Sequence, residues 1–299
     1  MAVLTPPAGI RALYTNAFRV RGGPAVARFI ASRGRSQAAR IAGLAEAGAR
    51  RIEAKVSRYR EDSVVSQINA AAGGAPVPVD AETEALIRSA LDLAALTAGR
   101  FDPTVGVMRR VWDFRAGRVP SPAEVEALLP LADARRVELD LGGVGKEPAV
   151  DRVAGLLQRE GVESALITFA GDVRTVGRRG DGEPWTIAAQ DPRDPGRCPF
   201  ALLAASGAGV ATSGDDERAF LRDGARYHPL LDARTGSPAR GLASATVLAC
   251  TASEAGRLST VAFLLGPEDG LRLMESAPGA EGALIAEDGG VLPPHRWRG

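Results

Sequence analysis

Along residues 38–57 the apolar positions Ile41, Leu44, Ala45, Ala49, Ile52 and Val56 recur at threes and fours, which predicts an amphipathic helix. A second helix is predicted over residues 80–98, where Ala85, Leu86, Ile87, Ala90, Leu91 and Leu93 gather near one face and Asp80 stands as N-cap. A third, over 121–129, follows Pro120 and opens with the capping pattern Ser121-Pro122-Ala123-Glu124. Residues 11–21 mix β-branched and aromatic side chains and read as a strand. From Arg136 onward strands and helices alternate. Strands are predicted at 137–140, 165–169, 186–190, 201–205, 209–212, 243–249 and 282–285, with a last one before the tail, and helices at 150–160 and 254–264. Consecutive strands joined by short turns predict mostly antiparallel sheets with helices packed on them, an α+β fold. No stretch reads as a linker, so residues 1–299 are taken as a single domain.

Composition narrows the function classes. The 299 residues are 45% hydrophobic and 24% charged, enough for a sizeable core. A net charge of +1 offers no basic field for nucleic acid. The apolar runs are too short to cross a bilayer. Residues 1–17 carry Pro6 and Pro7 and lack the apolar core of a secretory signal, and no cysteine there could take a lipid, so a cytoplasmic protein is expected. Cys198 and Cys250 read as two free, buried thiols, with a single disulfide between them as the alternative.

The candidate chemistry centres on Asp140-Leu141-Gly142-Gly143-Val144-Gly145-Lys146-Glu147-Pro148. A glycine turn that opens a helix offers unpaired N–H groups and the positive end of a helix dipole, which suits phosphate. The plainer reading is a tight connection with a solvated lysine. Tyr59 leaves the first helix and either stacks on a planar ring or packs on its own helix. In Gly99-Arg100-Phe101-Asp102-Pro103-Thr104, Gly99 is a natural helix terminator, and Asp102 can accept hydrogen bonds from a ligand amine or from nearby backbone amides. Asp172 stands at a strand end. The turn 212–218 is read as opening a helix that its hydroxyls would cap. His228, close to Asp232, Arg234 and Thr235, can act as acid, base or phosphate donor. Thr260 lies four residues beyond Gly256 and so shares a helix face with it.

The order and spacing of these pieces resemble the FAD:protein FMN transferase (ApbE-type) family from about residue 14 to residue 289. The signatures are S-x-Y-x-x-x-S-x-x-x-x-x-N from Ser57 to Asn69, G-x-F-D-P-T-V-G from Gly99, Trp112, D-L-G-G-x-x-K from Asp140, Gly171-Asp172, T-S-G-D from Thr212, H-x-x-x-D-x-x-T-G from His228, and the helix bearing Ser259-Thr260. The resemblance implies an α+β fold with a flavin-nucleotide cleft. It also implies a magnesium-dependent reaction in which a threonine hydroxyl of an acceptor flavoprotein attacks the FMN-side phosphorus of FAD and AMP leaves. By the same resemblance Tyr14, Tyr59, Arg100, Phe101, Asp102, Asp140, Lys146, Asp172 and His228 would line the FAD site. His228 and Thr260 would serve catalysis, and Mg2+ would sit near the Gly143 carbonyl, position 256 and Thr260.

The chain departs from the family pattern at several points. Gly256 stands where the family carries a metal-site aspartate, Glu147-Pro148 where glycine usually follows the lysine, Ala170 where a glycine precedes Gly171, and Tyr14-Thr15-Asn16 where Met-Gly-Thr is usual. An aspartate at 256 would add a charged oxygen ligand beside Thr260, so its loss predicts a weaker metal site unless Glu254 or Ser253 replaces that ligand. The alternative is a non-catalytic FAD-binding protein with a degenerate metal site. A third reading is a phosphohydrolase that releases AMP and FMN to water.

Overall fold

The computed structural model describes residues 13–20, 23–31, 34–129, 138–194, 196–204, 207–215 and 218–293. The chain opens with a hairpin, β1 (Leu13–Val20) and β2 (Gly23–Ile30), of which the sequence reading found only the first strand. Helix α1 (Gly34–Val56) buries Ala38, Ile41, Ala45, Ala49, Ile52 and Val56, the stripe its periodicity defines. A short α2 (Val64–Ala70) is capped by Ser63, and α3 (Ala81–Leu96) by Asp80, whose carboxylate accepts from Thr83 N at 2.9 Å. A 3-10 turn, Gly106–Arg110, leads to α4 (Pro122–Glu126), where Ser121 and Glu124 form the anticipated capping box. Helix α5 (Glu147–Arg159) begins three residues before its expected start, since Pro148 is at home in a first turn, where no N–H is needed.

Strands then dominate: β3 (Ala165–Phe169), β4 (Asp172–Val176), β5 (Trp185–Ala189), β6 (Phe200–Ala204) and β7 (Gly209–Gly214). Four short strands follow, β8 (Phe220–Arg222), β9 (Ala225–Tyr227), β10 (Leu231–Asp232) and β11 (Ser237–Pro238), and then β12 (Leu242–Ala249). The chain closes through α6 (Ala252–Leu265), α7 (Pro267–Ser276), β13 (Glu281–Ala286) and β14 (Val291–Leu292). The polar turn after Thr212 opens no helix. Thr212, Ser213 and Gly214 belong to β7, and the chain proceeds to the β8–β9 hairpin, so their hydroxyls cap nothing; Asp216 and Glu217 lie outside the described residues. Val137 of the expected strand at 137–140 also lies outside them, and Glu138 makes only an isolated parallel bridge to Val105. The tail beyond residue 293 is outside them too.

Eight strands form one sheet in the order β1-β2-β3-β4-β7-β12-β13-β14, each pair antiparallel, as the short turns required. Helices α1, α5, α6 and α7 cover one face. There Ala165, Ile167 and Phe169 of β3 meet Val150, Val153 and Leu157 of α5 and Ile41 and Ile52 of α1, while Ala245 and Val247 of β12 meet Ala255, Ala262 and Phe263 of α6. The alternate residues Val173 and Val210 face the other way and pack with Leu202 of the β5–β6 hairpin. Among the described residues no helix is long and apolar enough to cross a membrane. Both cysteines are free, but exposed rather than buried: Cys198 lies between β5 and β6 and Cys250 just past β12, outside the packed layers.

Candidate active site

The glycine loop is fixed from within by Asp140. Its Oδ1 accepts from Gly142 N at 2.7 Å, and its Oδ2 receives Arg58 Nη1 at 3.1 Å and Arg109 Nε at 3.0 Å. Burial pushes this carboxyl up, and Arg109 and Arg58 outweigh burial, leaving it below the ordinary carboxylate value. Arg58 also pairs with Glu138 and reaches the Gly106 carbonyl at 3.2 Å. Tyr59, next to Arg58 in sequence, is 75% exposed with the Arg58 guanidinium 5.7 Å from its ring centre. It does not pack on its own helix, so one ring face is open to a planar partner.

The 99–106 turn lies against this loop. Asp140 N donates to Pro103 O at 2.7 Å, and a Cβ built on Gly143 would stand 3.3 Å from the Phe101 ring. Asp102 accepts from Thr104 N at 2.8 Å and Thr104 Oγ1 at 2.6 Å, so of its two possible partners it has taken a nearby backbone amide, with the hydroxyl of the same residue beside it. Arg100 turns the other way, to Asp232 Oδ2 and the Leu264 carbonyl, each at 3.2 Å. Trp112 Nε1 donates to Gly236 O at 2.8 Å. Segments 99–112 and 228–236 thus form one wall.

Lys146 and Asp172, 26 residues apart in sequence, come together: Nζ lies 3.2 Å from Oδ2. The lysine is paired and mostly buried instead of standing free in solvent, and Asp172 is only 2% exposed. Asp172 starts β4 after a two-residue turn in which Ala170 (φ 47°) and Gly171 (φ 94°) are both left-handed. A side chain at 170 is strained there, which is the physical reason a glycine pair suits this turn. Tyr14 is not brought to this group. It pairs with Phe29, which pairs with Ala165, whereas Asp172 belongs to the row of Phe169 and Ala25 at the other end of the same strands.

Helix α6 forms the third side. Thr251 caps it, and Asp151 of α5 accepts from Ala252 N and Ser253 N, both at 2.9 Å, and from Ser253 Oγ at 2.7 Å. Arg174 of β4 holds the same carboxylate at 3.1 Å. The sequence reading gave Asp151 no role; only the approach of α5 to α6 assigns it one. Ser213 Oγ lies 3.1 Å from both Ser259 Oγ and Thr260 Oγ1. Gly256 provides room, not a donor. A Cβ there would fall 2.6 to 2.8 Å from Glu147 Cγ, Oε1 and Cδ, so the Glu147 side chain occupies that space. Glu254 is exposed, and Ser253 is committed to Asp151.

His228 is 2% exposed and stands edge-on to Phe263 of α6. Its Nε2 donates to the Ala239 carbonyl at 2.9 Å, which leaves Nδ1 as the lone-pair nitrogen; Nδ1 is buried and meets no hydrogen-bond partner among the described residues. Burial pushes the imidazole below its usual value of 6.5, only partly offset by the Ala239 bond and Asp215. Protons therefore bind the unfolded ring first as pH falls. Stability is expected to hold above about pH 6.5 and to fall as pH drops from there toward the lowered folded value. Denaturant titrations between about pH 8 and pH 5 on the wild type and His228→Asn check this; the variant should lose that slope, and equal slopes would count against it.

A family model described as the ApbE family matches residues 26–285. A FAD:protein FMN transferase of Treponema pallidum is 31% identical over 268 residues, covering 79% of this chain and 74% of the relative. The crystal structure of the ApbE protein from Thermotoga maritima superposes with a TM-score of 0.85 at 32% identity, covering 95% of this chain and 97% of its own. The apo flavinyl transferase ApbE of Pseudomonas stutzeri does so with 0.84 at 29% identity, over 97% of each chain. A match over residues 26–285, a range that includes the loops building this wall, places the chain in the ApbE family.

Proposed function

We propose that this protein is a FAD:protein FMN transferase: it moves FMN from FAD to a threonine hydroxyl of an acceptor flavoprotein and releases AMP. The observation that carries the reading is the meeting of the glycine loop that ends in Lys146, Asp172 at the start of β4 and the Gly256–Thr260 face of α6, three segments distant in sequence. Such a site offers backbone N–H groups and a held cation to a pyrophosphate. Tyr59 and Phe101 supply aromatic faces for the ring systems, and Arg100, Asp102 and Asp140 hold the loops that carry them, while Asp172 holds the Lys146 ammonium. Tyr14, on the far row of the sheet, is a contact of the flavin end only if the ligand reaches across β2.

In the step itself the threonine oxygen bonds to the FMN-side phosphorus, the bond from that phosphorus to the bridging oxygen breaks, and AMP departs with that oxygen. The hydroxyl proton needs an acceptor. His228, neutral and with its Nδ1 lone pair uncommitted, is assigned that part. Magnesium, when bound, would neutralise phosphate charge and stabilise the leaving AMP. The Gly143 carbonyl and the Thr260 hydroxyl are the proposed oxygen donors. Among the described residues no three His, Cys, Asp or Glu side chains gather, so mixed donors are needed. The alternative, a non-catalytic FAD binder, rests on the loss of an aspartate at Gly256; the Glu147 side chain beside that position supports the catalytic reading.

Incubation with FAD, Mg2+ and a threonine-bearing acceptor protein tests the reading. The expected result is AMP release in step with covalent flavin on the acceptor. AMP and free FMN without acceptor labelling would mark a phosphohydrolase, and FAD binding with no AMP a binding protein. Lys146→Ala should weaken FAD binding by about 1 to 3 kcal/mol through the lost phosphate contact. It should also lower stability, because it removes the cation facing a buried Asp172. Flavin fluorescence titration at equal folded fraction separates the two effects, and unchanged affinity would remove the lysine from the site.

A further inference from the structure

We infer that Glu147 supplies the carboxylate of the metal centre in place of the aspartate missing at position 256, so that the charged ligand comes from α5 instead of α6. The inference rests on the FMN transferase reading above and names a donor within that site. Its basis is that two separate departures from the family pattern touch each other. Position 147, where the family resemblance leads one to expect glycine, carries a carboxylate, and position 256, where it leads one to expect aspartate, carries no side chain. They are far apart in sequence, yet a Cβ on Gly256 would lie 2.6 Å from Glu147 Cγ, 2.7 Å from Oε1 and 2.8 Å from Cδ.

Those distances say where the carboxylate stands. An aspartate projecting from position 256 would have to begin in the volume that the outer half of the Glu147 side chain already fills. One carboxylate leaves as the other arrives. Glu147 is 6% exposed, so this is no solvated glutamate that happens to lean on a helix. A glycine inside α6 costs helix stability, since it gives up more chain entropy than alanine. Here the close approach of Glu147 explains it, because any larger residue would displace the carboxylate. Pro148 has a part too. It fits the first turn of α5 and starts that helix at Glu147, one residue after Lys146. Thr260, one turn beyond Gly256 on the same face, presents the neighbouring hydroxyl, and a hard divalent cation favours this carboxylate–hydroxyl–carbonyl set over a set without charge.

The test reads metal binding directly, with Mn2+ as the probe and the full-length protein saturated with FAD, by electron paramagnetic resonance. Glu147→Gln keeps shape and removes charge; it should weaken Mn2+ binding by about tenfold or more. FAD affinity measured in EDTA should change little, which shows the site is still formed. The exchanged pair Glu147→Gly with Gly256→Asp should bring Mn2+ binding back toward the wild-type value. Gly256→Ala should lower the Tm of the wild type but not that of Glu147→Gly, a readout of the direct contact that needs no metal. Wild-type Mn2+ affinity in Glu147→Gln would overturn the inference. So would a wild-type protein that binds FAD and no Mn2+, which leaves the flavin reading standing. A protein that binds neither overturns both.

Discussion

Asp140→Ala is expected to cost about 3 kcal/mol of stability and most of the affinity for FAD. The carboxylate is the shared partner of Arg58, Arg109 and Gly142 N, and side-chain exposure is 12% for Asp140 and Arg58 and 31% for Arg109. Its removal leaves two guanidinium groups facing each other across a partly buried space, and breaking such a group costs more than the group contributes against an apolar substitute. The figure sits at the low end of that class because Arg58 keeps Glu138 and Gly106, and Arg109 is open enough to be screened. The glycine loop would also lose the anchor at Gly142. Asp140→Asn separates the terms: it can still accept from Gly142 N but carries no charge. Chemical denaturation and FAD titration on both variants read the result. The folded carboxyl lies below its ordinary value, so its contribution is present above about pH 4 and is lost as pH falls through the folded value. The variants should show a shallower acid loss. Full FAD affinity in Asp140→Ala would separate the loop from the ligand.

Gly209→Ala is the other large effect. A Cβ at the start of β7 would fall 2.1 Å from Ala252 N, 2.2 Å from Thr251 C and 2.5 Å from Ala252 Cα. These are backbone atoms of the first turn of α6, which cannot swing aside as a side chain does. The helix must lift from the sheet or β7 must shift, at a cost of about 3 kcal/mol and a fall in Tm of roughly 6 °C. Lifting that turn strains the hydrogen bonds from Ala252 and Ser253 to Asp151 and moves Thr260 relative to Ser213. Gly43→Ala on α1 is the control. Nothing lies within 4 Å of a Cβ there, so it should be neutral or stabilising by up to about 1 kcal/mol. Calorimetry on the pair tests the packing argument, and equal Tm values would refute it.

Sequence alone determined the elements whose burial is periodic and whose ends are chemically marked. The stripe of α1, the Asp80 cap of α3, the capping box at Ser121 and the strand at Ala165–Phe169 are local facts, dictated by side-chain spacing and by hydroxyl or carboxylate caps. Short or polar pieces escaped it. β2 opens on Gly23-Pro24 and points the small Ala25 and Ala27 inward, which blunts its strand signal, and Thr212–Gly214 looks like a cap while serving as the end of β7, because β12 pairs with it. The separated motifs also sufficed to name a family, since their order survives without a structure. What the chain does between motifs is a matter of contact. Lys146 meets Asp172, Asp151 closes the start of α6, and Glu147 stands in the space left by Gly256, each across an interval no periodicity spans. Read singly, Glu147 is an intrusion and Gly256 a loss. Only the packing of α5 against α6 makes them one substitution, because two side chains cannot occupy one volume and position in space, not in sequence, decides which helix presents the charge.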